Sequence, residues 1–231
     1  MALPLRRRLG VLVLLLVPAA LTFTGSAQNS GSHPVTGRRL ADVMSHRGAP
    51  WLDRAERDRE EHASRAVELL GITPGMVVAD FGAGSGYYTE RLAKKVGPTG
   101  KVLAVDIQPE MLELLGARMT RLGLTNVERI RNTEDDPGLP AGVVDLVLMV
   151  DVYHELSQPQ LVLRRMKAAL SPTGRIAILE YRKEDPDVPI RLEHKMSVLD
   201  ATAEFGAEGY RLVRRVDTLP WQHLLFFAPQ R

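Results

Sequence analysis

The chain has 231 residues, 45% of them hydrophobic and 25% charged, which suits one α/β domain of ordinary size. Its formal charge of +2 misleads, because Arg6, Arg7 and Arg8 lie in a segment with the pattern of a cleaved leader. Without them 27 basic residues face 28 acidic ones, and no nucleic-acid surface is expected. Zero cysteines exclude a disulfide framework, a thiolate metal site, a thiol nucleophile and a lipid anchor on cysteine.

From the N-terminus, three arginines precede an apolar run from Leu9 to Val17, broken only by Gly10 and ended by Pro18. Small residues at Gly25, Ser26 and Ala27 complete a secretory pattern. Residues 1–27 are therefore expected to be a signal peptide cut near Ala27, with export to a periplasm or the medium. The alternatives are an uncleaved anchor, touching a membrane only through this segment, and a start at Met44. Residues 28–46 are expected to be a flexible leader, because Gln28 to Thr36 is polar and rich in Gly and Ser. Residues 47–231 form a single domain.

Asp53 to Leu70 reads as one charged surface helix that docks through its C-terminal end and stops at Gly71. A strand from Met76 to Phe81 leads into a helix from about Tyr88 to Val96. The turn Gly97-Pro98-Thr99-Gly100 precedes a second strand, Lys101 to Asp106. Pro109 opens a helix with an apolar face of Met111, Leu112, Leu114, Leu115, Ala117 and Met119. Strands follow at Val127 to Arg131 and Val143 to Val150; the second is almost wholly apolar, as burial on both faces requires. A helix over Gln158 to Leu170 precedes a strand over Arg175 to Tyr181. Arg182 to Pro189 is a loop, Leu192 to Phe205 a helix, and Tyr210 to Val216 with Trp221 to Phe227 a terminal hairpin.

The most informative stretch joins the first strand to its helix. Asp80-Phe81-Gly82-Ala83-Gly84-Ser85-Gly86 places an acid before three alternate glycines. Glycines let a backbone approach a ligand closely, and the helix start offers free N–H groups. Asp106 ends the next strand twenty residues past Gly86, where an acid takes both hydroxyls of a ribose. The dinucleotide pattern G-x-G-x-x-G is not met, since Tyr87 stands at its last glycine, and Asp80 would face a pyrophosphate unfavourably. The pattern resembles motif I of the class I S-adenosylmethionine-dependent methyltransferases, and the resemblance runs from about Gly71 to Phe227.

That resemblance implies a Rossmann-like α/β fold: a seven-stranded, mostly parallel sheet flanked by helices, with a C-terminal antiparallel hairpin. It implies S-adenosylmethionine as cofactor and a small-molecule methyl acceptor of unidentified structure. Gly82, Gly84 and Gly86 would cradle the methionine carboxylate side, with Asp80 on the amino group directly or through water. Asp106 would hold the ribose, Ile107 would pack on the adenine, and Glu134 or Asp135 would bond its amino group. Asp151-Val152-Tyr153-His154-Glu155 lies where donor and acceptor meet in the family. It is not the N-P-P-Y motif of amino-group methyltransferases. His154 is a candidate general base for a hydroxyl, phenol or acidic carbon, with Asp151 and Tyr153 beside it; a structural contact is the other reading of His154 and Tyr153. Trp51 is placed to close the cofactor pocket or to anchor the terminus. Glu180, Tyr181, Arg182 and His194 are candidates for the acceptor side, with an exposed cap as the other reading of His194. No spacing of His and carboxylates predicts a metal site. The competing functions are an NAD(P)-dependent oxidoreductase and a non-catalytic S-adenosylmethionine-binding protein. Export also separates the chain from S-adenosylmethionine, which is made in the cytoplasm.

Overall fold

The computed structural model describes residues 31–230. The expected signal peptide lies outside the described residues. Eight strands form one sheet: β1 (Val77–Phe81), β2 (Lys101–Asp106), β3 (Val127–Arg131), β4 (Val144–Val150), β5 (Leu170–Arg182), β6 (Lys195–Met196), β7 (Tyr210–Val216) and β8 (Gln222–Pro229). The order along the sheet is β3-β2-β1-β4-β5-β8-β7, with β6 added to the end of β5. β1 to β6 pair in parallel, and β8 runs antiparallel to both β5 and β7.

The apolar content of the central strands explains their place. Val78, Ala79, Val102, Ala104, Leu146 and Val147 are buried, because helices cover both faces of the sheet. On one face α6 (Pro159–Ala169) and α7 (Val198–Ala207) pack Val162, Met166, Ala201 and Phe205 against Val147 and Ile178. On the other, α3 (Ala63–Leu69) and α4 (Tyr87–Val96) pack Val67, Leu92 and Val96 against Val78 and Leu146. α5 (Pro109–Leu122) buries Leu115 and Met119 beside Ala104.

The order reverses at β1, which has β2 on one side and β4 on the other. In open α/β sheets the crevice for a ligand opens there, beyond the carboxyl ends of the strands. Register makes the ends coincide: Phe81 pairs with Val105 and with Met149.

Three expectations need correction. The helix expected over 53–70 is divided into α2 (Arg57–Glu61) and α3, because His62 takes a left-handed φ of 52° that ends α2 and opens α3; a separate turn, α1 (Ala49–Leu52), precedes them. The helix expected from Leu192 begins at Val198. Ser197 caps it by accepting from the Asp200 N–H at 2.9 Å, which leaves 192–196 for a single 3-10 turn and β6. The described part of the expected flexible leader is folded. Ser32 bridges Arg39, and Arg38 grips the buried Glu204 of α7 with Nε and Nη2 at 2.8 and 3.0 Å.

Candidate active site

A cavity of about 900 Å³ lies at the switch point. Its cofactor end is built by the loops after β1, β2 and β3. Gly82 and Gly84 line it with φ of 77° and 53°. A Cβ on Gly82 would sit 2.3 Å from Val152 Cγ2, so only glycine fits between the turn and the loop after β4. Gly86 serves differently: it caps α4 and stays outside the cavity lining.

Asp106 faces the cavity from the end of β2. Its Oδ2 accepts from the Gly84 N–H at 2.8 Å and its Oδ1 from the Gln108 N–H at 2.9 Å. Burial raises its pKa, and these backbone bonds act against the rise. A carboxylate has about four acceptor sites, so two remain for ribose hydroxyls. Gln108 was not foreseen from sequence. Its side chain donates to Met44 O and accepts from the His46 N–H, which folds 44–46 over the Asp106 end. Trp51 lines the wall with the Arg54 guanidinium 3.9 Å over its ring, and Ile107, Asn132, Thr133 and Glu134 line the part beyond β2 and β3.

Besides Gly86, two cofactor candidates do not reach the cavity. Asp80 is 2% exposed behind the glycine turn, accepting from Thr89 Oγ1 at 2.5 Å, and burial pushes its pKa to about 6. Asp135 points outward to Thr133 Oγ1 and Arg165.

The wall built by the loops after β4 and β5 is charged and buried. Asp151 takes a left-handed φ of 53°, rare for a residue with a side chain, and holds it through its N–H to Leu179 O at 2.8 Å. Its Oδ2 accepts from Gln222 Nε2, while Oδ1 is buried with no hydrogen-bond partner among the described residues. Burial, then Glu61 and Glu180, raise the Asp151 pKa well above the ordinary value. Arg57 lines the same wall and donates to Glu61 Oε2 at 2.9 Å; Tyr181 OH donates to Glu61 Oε1 at 3.1 Å. Arg57, Glu61 and Gln222 were missed because the first two read as a solvated face and the third as hairpin packing. The one available signal was the i,i+4 spacing of Arg57 and Glu61.

His154 is buried in a chain of contacts. Nδ1 lies 2.7 Å from Glu180 Oε2, and Nε2 lies 3.1 Å from Nδ1 of His194. Burial alone would lower the His154 pKa; the Glu180 carboxylate outweighs it and raises the value. Burial pushes Glu155 up to about 7 against the pull of His154. His154, Glu155 and His194 all face the cavity. Tyr153 does not. It is fully buried against Phe205, with its N–H donated to Glu180 Oε1 at 2.9 Å, so its role is packing and the support of Glu180.

These residues fit S-adenosylmethionine. The glycines form a cradle that a Cβ would fill, Asp106 offers ribose acceptors, and the orphaned Asp151 oxygen suits a cationic neighbour. The group supplies a methyl on an activated sulfonium.

The family model for the methyltransferase domain matches residues 72–216. A crystal structure of an S-adenosylmethionine-dependent methyltransferase from Aquifex aeolicus is 30% identical, with a TM-score of 0.76 over 80% of this chain and 98% of that one. A TehB-like methyltransferase from Corynebacterium glutamicum, 14% identical with a TM-score of 0.59 over 80% of this chain and 98% of its own, shares the fold. The ubiquinone/menaquinone biosynthesis C-methyltransferase of Hydrogenovibrio crunogenus is 33% identical over 119 residues, 51% of this chain and 47% of its own. The chain thus spans about half the length of the curated relatives it matches. Motif, fold and relatives agree: the chain belongs to the methyltransferase-domain family and is a class I S-adenosylmethionine-dependent methyltransferase.

Proposed function

We propose that the chain moves a methyl group to a small-molecule acceptor whose reacting atom carries an acidic proton, such as a phenol, a hydroxyl or an enolisable carbon. The observation that carries this reading is the His154–Glu180 pair in the cavity wall beyond β4 and β5. Methyl transfer is a displacement, so the protein's work is to align donor and acceptor and to take up any proton the nucleophile must lose. The donor is held by the glycine turn, Asp106 and Ile107. The acceptor lies against His154, His194 and Ile190. Glu180 keeps the His154 Nδ1 proton and steadies the imidazolium, while Nε2, shared with His194, accepts the acceptor's proton. The relatives that act on carbon in quinone biosynthesis support an enolisable or phenolic ring. The Arg6 to Ala27 pattern supports export, with the N-terminal segment as the contact with any membrane.

The test is a turnover assay with a labelled methyl donor and a panel of phenols, quinols and 1,3-dicarbonyl compounds. Release of S-adenosylhomocysteine that depends on one of these classes supports the reading. Turnover only with amines, whose nucleophilic lone pair needs no deprotonation before transfer, contradicts it.

A further inference from the structure

The three groups that surround the acceptor end form a set that no spacing in the sequence announces. His154 and Glu155 follow β4, whereas His194 comes from the turn before β6. Their ligand atoms converge: His154 Nε2 lies 3.1 Å from His194 Nδ1 and 3.8 Å from Glu155 Oε1, and His194 Nδ1 lies 3.9 Å from the same oxygen. We propose that His154, His194 and Glu155 hold a divalent transition-metal cation of the zinc type at the acceptor end of the cavity.

Four observations carry the assignment. First, the separations suit a metal. The circle through three points so spaced has a radius of about 2.1 Å, so a slight closing of the Glu155 carboxylate brings all three atoms to the length of a zinc bond in a four-coordinate site. Second, the tautomer is set. Glu180 engages Nδ1 of His154, which leaves the Nε2 lone pair toward the other two groups. A carboxylate behind the far nitrogen of a histidine is the usual support of a metal ligand. Third, the donor set of two imidazoles and one carboxylate suits zinc, iron or cobalt and is poor for calcium or magnesium, which prefer oxygen alone. Fourth, all three residues line the cavity, so a fourth coordination position faces the space assigned to the acceptor. Among the described residues this is the group of His and carboxylate side chains with such spacing.

The role rests on the acceptor position given under Proposed function. Without a cation, the His154 and His194 nitrogens share a proton and the pair works as a base. With a cation, the same lone pairs are ligands; an acceptor oxygen or enolate binds the open position, and its proton leaves more readily to solvent. The cation accepts no electrons, and the methyl group still comes from the sulfonium.

The test uses the tag-free full chain, stripped with a chelator and dialysed. Titration with Zn²⁺ by calorimetry and with Co²⁺ by visible absorption should show one equivalent per chain, with cobalt bands of low coordination number. His194→Ala, on a partly exposed ring, and Glu155→Gln should each weaken binding at least tenfold, and Glu180→Gln by about 10–100-fold. Glu110→Gln, outside the set, should leave it unchanged. No binding below about 0.1 mM, or binding that His194→Ala leaves intact, overturns the assignment. S-adenosylmethionine titrated into the same samples separates the two readings. Cofactor binding without metal binding rejects the metal site alone; loss of cofactor binding in the stripped wild type rejects the placement of the donor.

Discussion

Asp80→Asn tests whether the buried acid of the glycine motif costs stability when it ionises. Asp80 is 2% exposed, and in this structure its oxygen is matched by a neutral hydroxyl, Thr89 Oγ1. Burial, with Asp106 adding to it, pushes its pKa from 3.8 to about 6, and the Thr89 bonds and Arg57 act against the rise. Between those values the folded chain holds a proton that the unfolded chain has lost. Stability is therefore full below pH 3.8, falls as pH rises, and levels off above about 6. The total loss is about 3 kcal/mol at 1.36 kcal/mol for each pH step. Asn keeps the size and the acceptor for Thr89 but has no charge to desolvate. Urea unfolding of both proteins from pH 4 to pH 8 should show the Asn variant gaining on the wild type by up to about 3 kcal/mol, with most of the gain between pH 4 and 6.5. A difference that stays flat with pH refutes the reasoning, and so does a variant that loses ground as pH rises.

Gly82→Ala should lower the melting temperature by several degrees and abolish tight cofactor binding, since its Cβ meets Val152 at 2.3 Å and its φ is 77°; differential scanning fluorimetry with and without ligand reads both effects. Arg38→Met should cost about 1–3 kcal/mol in urea unfolding, because it removes the guanidinium from the buried Glu204 carboxylate and leaves it only Thr36 Oγ1 and His33; no measurable effect would mean that the 31–46 segment is not held as the structure has it. N-terminal sequencing of the protein from its native cell should find Gln28 first, and a chain that retains Met1 in the cytoplasm rejects export.

The sheet was legible because its signals are local. Val144 to Val150 is apolar but for Asp145, Pro109 starts a helix, and three glycines mark the turn after β1. Asp106 was legible because its distance from that turn is set by one βα unit. The acceptor side was less so. Arg57 and Glu61 sit four apart on a charged helix, a spacing that reads the same on a solvated face as in a wall; burial came only from packing against Tyr87, Tyr88 and Tyr181. Tyr153 and His154 are neighbours in sequence, yet the 3-10 turn at Tyr153–Glu155 sends one into the core and the other to the cavity. His194 reaches His154 from forty residues away, and Gln222 reaches Asp151 from seventy-one. No periodicity carries such pairings. The folded leader escaped for the same reason, since its partner Glu204 lies on α7.

The central claim is a division of labour along one cavity, with the donor at Asp106 and the acceptor at His154. Calorimetric titration of S-adenosylmethionine into the wild type, Asp106→Ala and His154→Ala, paired with single-turnover methyl transfer on the acceptor found in the screen, tests it most directly. Asp106→Ala should weaken cofactor binding by about 1–3 kcal/mol. His154→Ala should bind the cofactor nearly as the wild type does and transfer methyl about 10²–10⁴-fold more slowly. Equal loss of cofactor affinity in both variants, or an unchanged rate in folded His154→Ala, would contradict the account.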